Sequence, residues 1–60
     1  MNIKHARKLT SGDEITRKSD GEKLCVVSIL DSRGLTINRV SIDALTKDDL
    51  LVTLRHTEVK

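Results

Sequence analysis

Lys23-Leu24-Cys25-Val26-Val27-Ser28-Ile29-Leu30 is the stretch on which the fold turns. Its β-branched and aliphatic residues favour an extended chain, in which successive side chains point to opposite faces. Leu24, Val26, Ser28 and Leu30 then share one side, and Cys25, Val27 and Ile29 the other. Both sides are apolar, so the segment reads as a central strand covered on two faces, or one that bends across a barrel. Upstream, Ser19-Asp20-Gly21-Glu22 carries the Asp-Gly pair preferred in tight hairpins. It is reached from an extended Ile15-Thr16-Arg17, and Leu9-Thr10-Ser11-Gly12-Asp13-Glu14 forms a turn in which Gly12 permits positive φ. Downstream, Asp31-Ser32-Arg33-Gly34 reads as a turn. Leu35-Thr36-Ile37-Asn38-Arg39-Val40 then reads as a half-buried strand, Leu35 and Ile37 opposing polar Thr36 and Asn38.

Ser41 to Leu50 admits two readings. Thr46-Lys47-Asp48-Asp49 fits a helical turn whose Thr46 oxygen accepts a backbone N–H. A last strand from Leu51 to Val59 follows, with Val52 and Leu54 inward and Thr53, Arg55 and Thr57 outward. The rival is one helix from Ile42 to about His56. It leaves Asp49 on the buried stripe and contains Val52, Thr53 and Thr57, which are poor helix formers. Turn plus strand is favoured. The fold class expected is mostly β, either a small bent antiparallel sheet or a five-stranded barrel with one short helical turn.

Sixty residues make a single small domain, 1–60, with residues 1–8 a candidate flexible basic arm. A chain of this length buries about 60% of its unfolded surface, so its core is marginal. The sequence has no Phe, Tyr or Trp and one cysteine. Ile, Leu and Val must build the core, Ala44 and Cys25 fill it, and an intrachain disulfide is excluded. Self-association is one remaining source of reinforcement, so a homodimer is a candidate state. The longest apolar run, Leu24 to Val27, is far below the ~20 residues of a membrane span. No apolar segment follows the basic start, and a lone thiol suits a reducing compartment, so a cytoplasmic location is expected.

The chain resembles SH3-like barrels, including the KOW type, in its Leu9 to Ile15 opening with Gly12-Asp13 before the strand. A helical turn just before the last strand adds to the likeness. The resemblance implies a small barrel and no specific activity. SH3 domains that grip proline-rich peptides use an aromatic groove, and this sequence has no aromatic residue. Likeness to the carbon storage regulator family stops at Gly12-Asp13-Glu14 and the strand alternation.

Most candidate sites have plain structural explanations. His5, Cys25 and His56 have no metal-ligand spacing, and structural zinc needs four ligands. Cys25 among Leu24, Val26 and Val27 is expected to be a buried, inert thiol. Asp13/Glu14 and Asp48/Asp49 are adjacent pairs that suit a turn and a helix start better than acid–base catalysis. Gly12, Gly21 and Gly34 are single turn glycines and make no phosphate loop. No enzymatic activity, cofactor or metal is expected.

Charge is the feature with functional content. Formal net charge is +2, but Lys4, Arg7, Lys8, Arg17 and Lys18 against Asp13 and Glu14 put +3 in residues 1–18. The candidate partner-binding residues are Lys4, Arg7, Lys8, Arg17, Lys18, Arg39 and Arg55. Binding of single-stranded nucleic acid usually adds aromatic stacking worth ~1–3 kcal/mol per base, which is absent here. Phosphate contacts on a duplex or backbone stay open. The expected function is therefore a small regulator or inhibitor that occupies a protein partner's surface. Its contact would be the face carrying Arg17, Arg39, Arg55 and Thr53, or the edge from Leu51 to Glu58. The alternative is a nucleic-acid-binding module using the basic arm and the arginines of the barrel face.

Overall fold

A computed structural model describes residues 1–34 and 38–60. Four antiparallel strands, β1 (Glu14–Thr16), β2 (Lys23–Arg33), β3 (Asn38–Leu45) and β4 (Leu51–Arg55), form one sheet in the order β1-β2-β3-β4. A short helix α1 (Ile3–Ala6) precedes them and a 3-10 turn (His56–Glu58) follows. The chain is mostly β, and the sheet is open. Of the strand expected over Leu35 to Val40, Asn38 to Val40 opens β3, and Leu35 to Ile37 lie outside the described residues.

The alternation of β3 places the core. Val40, Ile42 and Ala44 are fully buried, while Ser41 and Asp43 are turned to the opposite face. Ile42 lies between Ile29 on β2 and Leu54 on β4. Ile15 and Leu24 pair across β1 and β2, and both are buried. Over this inner face pack Ala6 and Leu9 from the N-terminal segment and Val59 from the C-terminal one, all buried, with Met1 and Ile3 at the margin. Residues 1–8 therefore include a piece of the lid on the core. Asn2 starts α1 by accepting the His5 N–H on its side-chain oxygen at 2.8 Å, which satisfies a first-turn donor. The Met1 ammonium donates to the Val59 carbonyl.

One residue changes the character of β2. Val26 pairs with Ala44 and Ser28 with Asp43, so Val27 is an extra residue in a β-bulge. The bulge shifts the alternation by one. Leu24 and Val26 point inward before it and Ile29 after it, while Leu30, expected on the same side as Leu24, is 65% exposed. The strand is covered on one face only, and the two-face expectation is corrected. Cys25 is exposed, not buried, because it faces away from Leu24 on the uncovered side.

One turn falls elsewhere than expected, and another falls in its expected place but is of a different kind. Asp31, Ser32 and Arg33 continue β2, paired with Val40, Arg39 and Asn38. Thr46 to Leu50 closes the β3–β4 hairpin and starts no helix. Thr46 N–H donates to the Leu50 carbonyl at 3.0 Å, and the Thr46 hydroxyl accepts the N–H of Asp48 and of Leu50 at 3.3 and 3.2 Å. Asp49 supplies the positive φ, +61°, that a three-residue hairpin loop of this kind requires. The long helix over 42–56 is excluded by β3 and β4. The expected Asp-Gly hairpin is present with a longer loop: Arg17 N–H donates to the Glu22 carbonyl, and Gly21 takes φ +72°.

Candidate functional site

Opposite the core lies a second sheet face with nothing packed on it among the described residues. The strand registers arrange it in cross-strand rows. Glu14, Cys25, Leu45 and Leu51 make one row. Ser28, Asp43 and Thr53 make the next, tied together by the Ser28 and Thr53 hydroxyls donating to the two Asp43 oxygens at 3.3 and 2.8 Å. Leu30, Ser41 and Arg55 follow, then Ser32 with Arg39. Leu30 and Leu51 are 65% and 63% exposed, with Val27 and Leu50 beside them. Leu30 on β2 and Leu51 on β4 are separated by the polar Ser28-Asp43-Thr53 row, so the exposed apolar side chains are scattered over the face and do not make one continuous patch.

The seven basic residues singled out from the sequence do not form one patch. Arg39 and Arg55 are exposed on the outer face, on adjacent strands one row apart, with Thr53 in the row beyond Arg55. Lys4 and Lys8 are exposed at α1 and just after it, on the core-lid side. Lys18 is exposed at the β1–β2 hairpin, close enough to the Met1 ammonium to help lower that group's pKa, after the larger effect of burial. Arg7 and Arg17 are engaged internally. Arg7 reaches under the sheet to Asp31 at 3.1 Å and to the Asn38 side chain at 3.4 Å. Arg17 donates to Asp20 at 2.7 Å and Glu22 at 2.6 Å, locking the hairpin loop. The hydrogen bond from Arg17, then the Glu22 backbone N–H, holds the Asp20 carboxyl at about 2. The hydrogen bond from Arg33, with a second from Arg7, lowers that of Asp31.

The sequence reading missed the apolar part of the face. Cys25, Val27 and Leu30 read as parts of a doubly covered strand; Cys25 and Val27 lie on the face that is left uncovered, and the bulge, which leaves no mark in the alternation, turns Leu30 out with them. Leu50-Leu51 carried a readable signal. Adjacent leucines at a strand start cannot both point inward.

A shallow depression of about 220 Å³ is lined in part by Asp13, Glu14, Lys23, Cys25 and Lys47. Glu14 and Lys23 pair across it at 3.7 Å. The Cys25 thiol has only a weak interaction with the Val26 carbonyl at 3.9 Å. Among the described residues no three His, Cys, Asp or Glu side chains converge as metal ligands, and no helix is long and apolar enough to cross a membrane. No family model, no curated protein and no solved structure matches this chain.

Proposed function

We propose that the chain is a non-enzymatic cytoplasmic binding protein, a regulator or inhibitor that acts by occupying the surface of a protein partner. The observation that carries this reading is the outer sheet face, where exposed Leu30 and Leu51 lie among Ser41, Thr53, Arg39 and Arg55. Arginine is enriched at protein interfaces over the rest of a surface, and a partner covering this face would bury both leucines. Nucleic acid is the less supported ligand. Arg7 and Arg17 are committed to internal carboxylates, and Lys4 and Lys8 lie on the opposite side from Arg39 and Arg55. The SH3-like barrel reading also stands as a proposal. It is supported by the 3-10 turn after β4 and by Val59, which returns to bridge Arg17 beyond β1.

The test is capture from source-cell lysate by the wild-type chain and by Leu51→Asp and Arg39→Glu, followed by titration with the captured protein. A stoichiometric partner bound at least tenfold more weakly by both variants is the expected result. A partner that both variants bind like wild type overturns the assignment of the face. A parallel titration with mixed DNA and RNA should show no binding. Binding there that weakens with salt would shift the reading to phosphate contact.

A further inference from the structure

The two edges of the sheet are finished differently. Beyond β1, the chain's own last residues close the ladder. Lys18 N–H donates to the Glu58 carbonyl at 2.9 Å, Lys60 N–H donates to the Thr16 carbonyl at 2.8 Å, and Arg17 and Val59 form a bridge. β4 has no such cover among the described residues.

The phase of the β3–β4 ladder shows which groups β4 leaves open. Thr46 and Leu50 form a hydrogen-bonded pair. Antiparallel ladders alternate, so Ala44–Val52 and Ile42–Leu54 are hydrogen-bonded pairs as well. That turns the N–H and C=O groups of Leu51, Thr53 and Arg55 away from β3, to the outside. One of them is occupied: Glu58 Oε1 accepts the Arg55 N–H at 3.4 Å. Edges of this kind are usually guarded by proline, lysine or a bulge. β4, Leu51-Val52-Thr53-Leu54-Arg55, has none of these and a single charge at its end.

The geometry points to a second copy of this chain as the occupant of that edge, β4 pairing antiparallel with β4 about a two-fold axis at Thr53. Thr53 then opposes Thr53 of the other copy, and Leu51 of each opposes Arg55 of the other. All three pairs are in the phase that exchanges hydrogen bonds, once Arg55 N–H leaves Glu58. Charge selects this arrangement over a parallel one. The turn Lys47-Asp48-Asp49, net −1, lies at one end of β4 and Arg55, with Glu58 beyond it, at the other, so antiparallel pairing brings each turn's carboxylates towards the other copy's guanidinium. Parallel pairing sets like charges side by side. The contact is made mainly by main-chain groups at the edge and leaves Leu30 and Arg39 open; it shares Leu51, Thr53 and Arg55 with the outer face, and sedimentation of the chain alone reads it separately from capture of the partner proposed above.

The test is sedimentation equilibrium of the full chain from about 1 µM to about 1 mM, a range that brackets weak self-association. Wild type is compared at low and moderate salt with Thr53→Pro, Arg55→Glu and Arg55→Glu combined with Asp48→Lys. The Thr53 N–H is not bonded to β3, so proline removes an outward donor, as edge positions tolerate. A reversible dimer is expected, weakened by salt, weakened at least tenfold by Thr53→Pro and by Arg55→Glu, and recovered by the charge swap. Arg55→Glu alters an exposed side chain and keeps the test decisive if the proline variant unfolds. A wild-type chain that stays monomeric throughout overturns the proposal. So does a dimer that Arg55→Glu leaves unchanged.

Discussion

Asp20, bonded to Arg17, and Asp31 are carboxyls whose pKa the folded state lowers. Asp20 accepts from the Arg17 guanidinium and from the Glu22 N–H, and its carboxyl is held at about 2 against an ordinary 3.8. Asp31, held by Arg33 and Arg7, is lowered in the same direction. A carboxyl depressed in the folded state contributes stability that is complete above its unfolded value and is lost as pH falls through its folded one. The urea midpoint should therefore be level down to about pH 4 and then decline towards pH 2. Asp20→Asn should lower the midpoint slightly at pH 7, since exposed ion pairs are well screened, and flatten the decline below pH 4. Midpoints measured every half unit between pH 2 and 7 test this. A variant with the same acid limb as wild type would show that the Arg17 cluster adds nothing to folding.

Two hairpins with acidic turns show how far local chemistry was readable at the level of elements. In the β1–β2 hairpin the Asp-Gly pair announced the reversal, and Gly21 does take the left-handed conformation. In the β3–β4 hairpin the same conformation falls on Asp49, φ +61°, and nothing in Thr46-Lys47-Asp48-Asp49 separates such a turn from a helix start. Thr46 accepts backbone N–H groups, as its place in the motif leads one to expect, but the strands on either side decide what the turn belongs to. The left-handed region costs an L-residue ~1–2 kcal/mol, less for Asp than for most. Asp49→Gly removes that strain at some cost in unfolded-chain entropy, and a net gain of about 0.5 kcal/mol is expected. Thr46→Val, which orphans the N–H groups of Asp48 and Leu50, should lose about 1 kcal/mol. Urea unfolding of both variants checks the pair, and a destabilised Asp49→Gly would mean the Asp49 side chain has a role beyond its backbone.

For the molecule as a whole, class and connectivity were legible, because aliphatic alternation and glycine turns are short-range signals. β3 runs on through Ile42 and Ala44, beyond the strand expected to end at Val40 because Ile42 and Leu45 also suit a helix. Only pairing with Ile29 and Leu54 resolves the choice. The number of covered faces was not legible, since the bulge at Val27 depends on the register that β3 imposes on β2. One-sided coverage has a direct energetic consequence. A core confined to a single face of a 60-residue chain supplies a net stability of only ~3–5 kcal/mol, so each inward side chain is a large fraction of it. Ile42→Ala, at a fully buried position between Ile29 and Leu54, should cost about 2–5 kcal/mol and leave much of the population unfolded at 25 °C. Leu30→Ala, on the uncovered face of the next strand, should change stability by less than about 0.5 kcal/mol. Amide chemical-shift dispersion and urea unfolding of the two variants, side by side, measure the contrast. Comparable losses at Ile42 and Leu30 would mean that both sheet faces are buried in solution, and then the leucines assigned to partner contact would belong to a core.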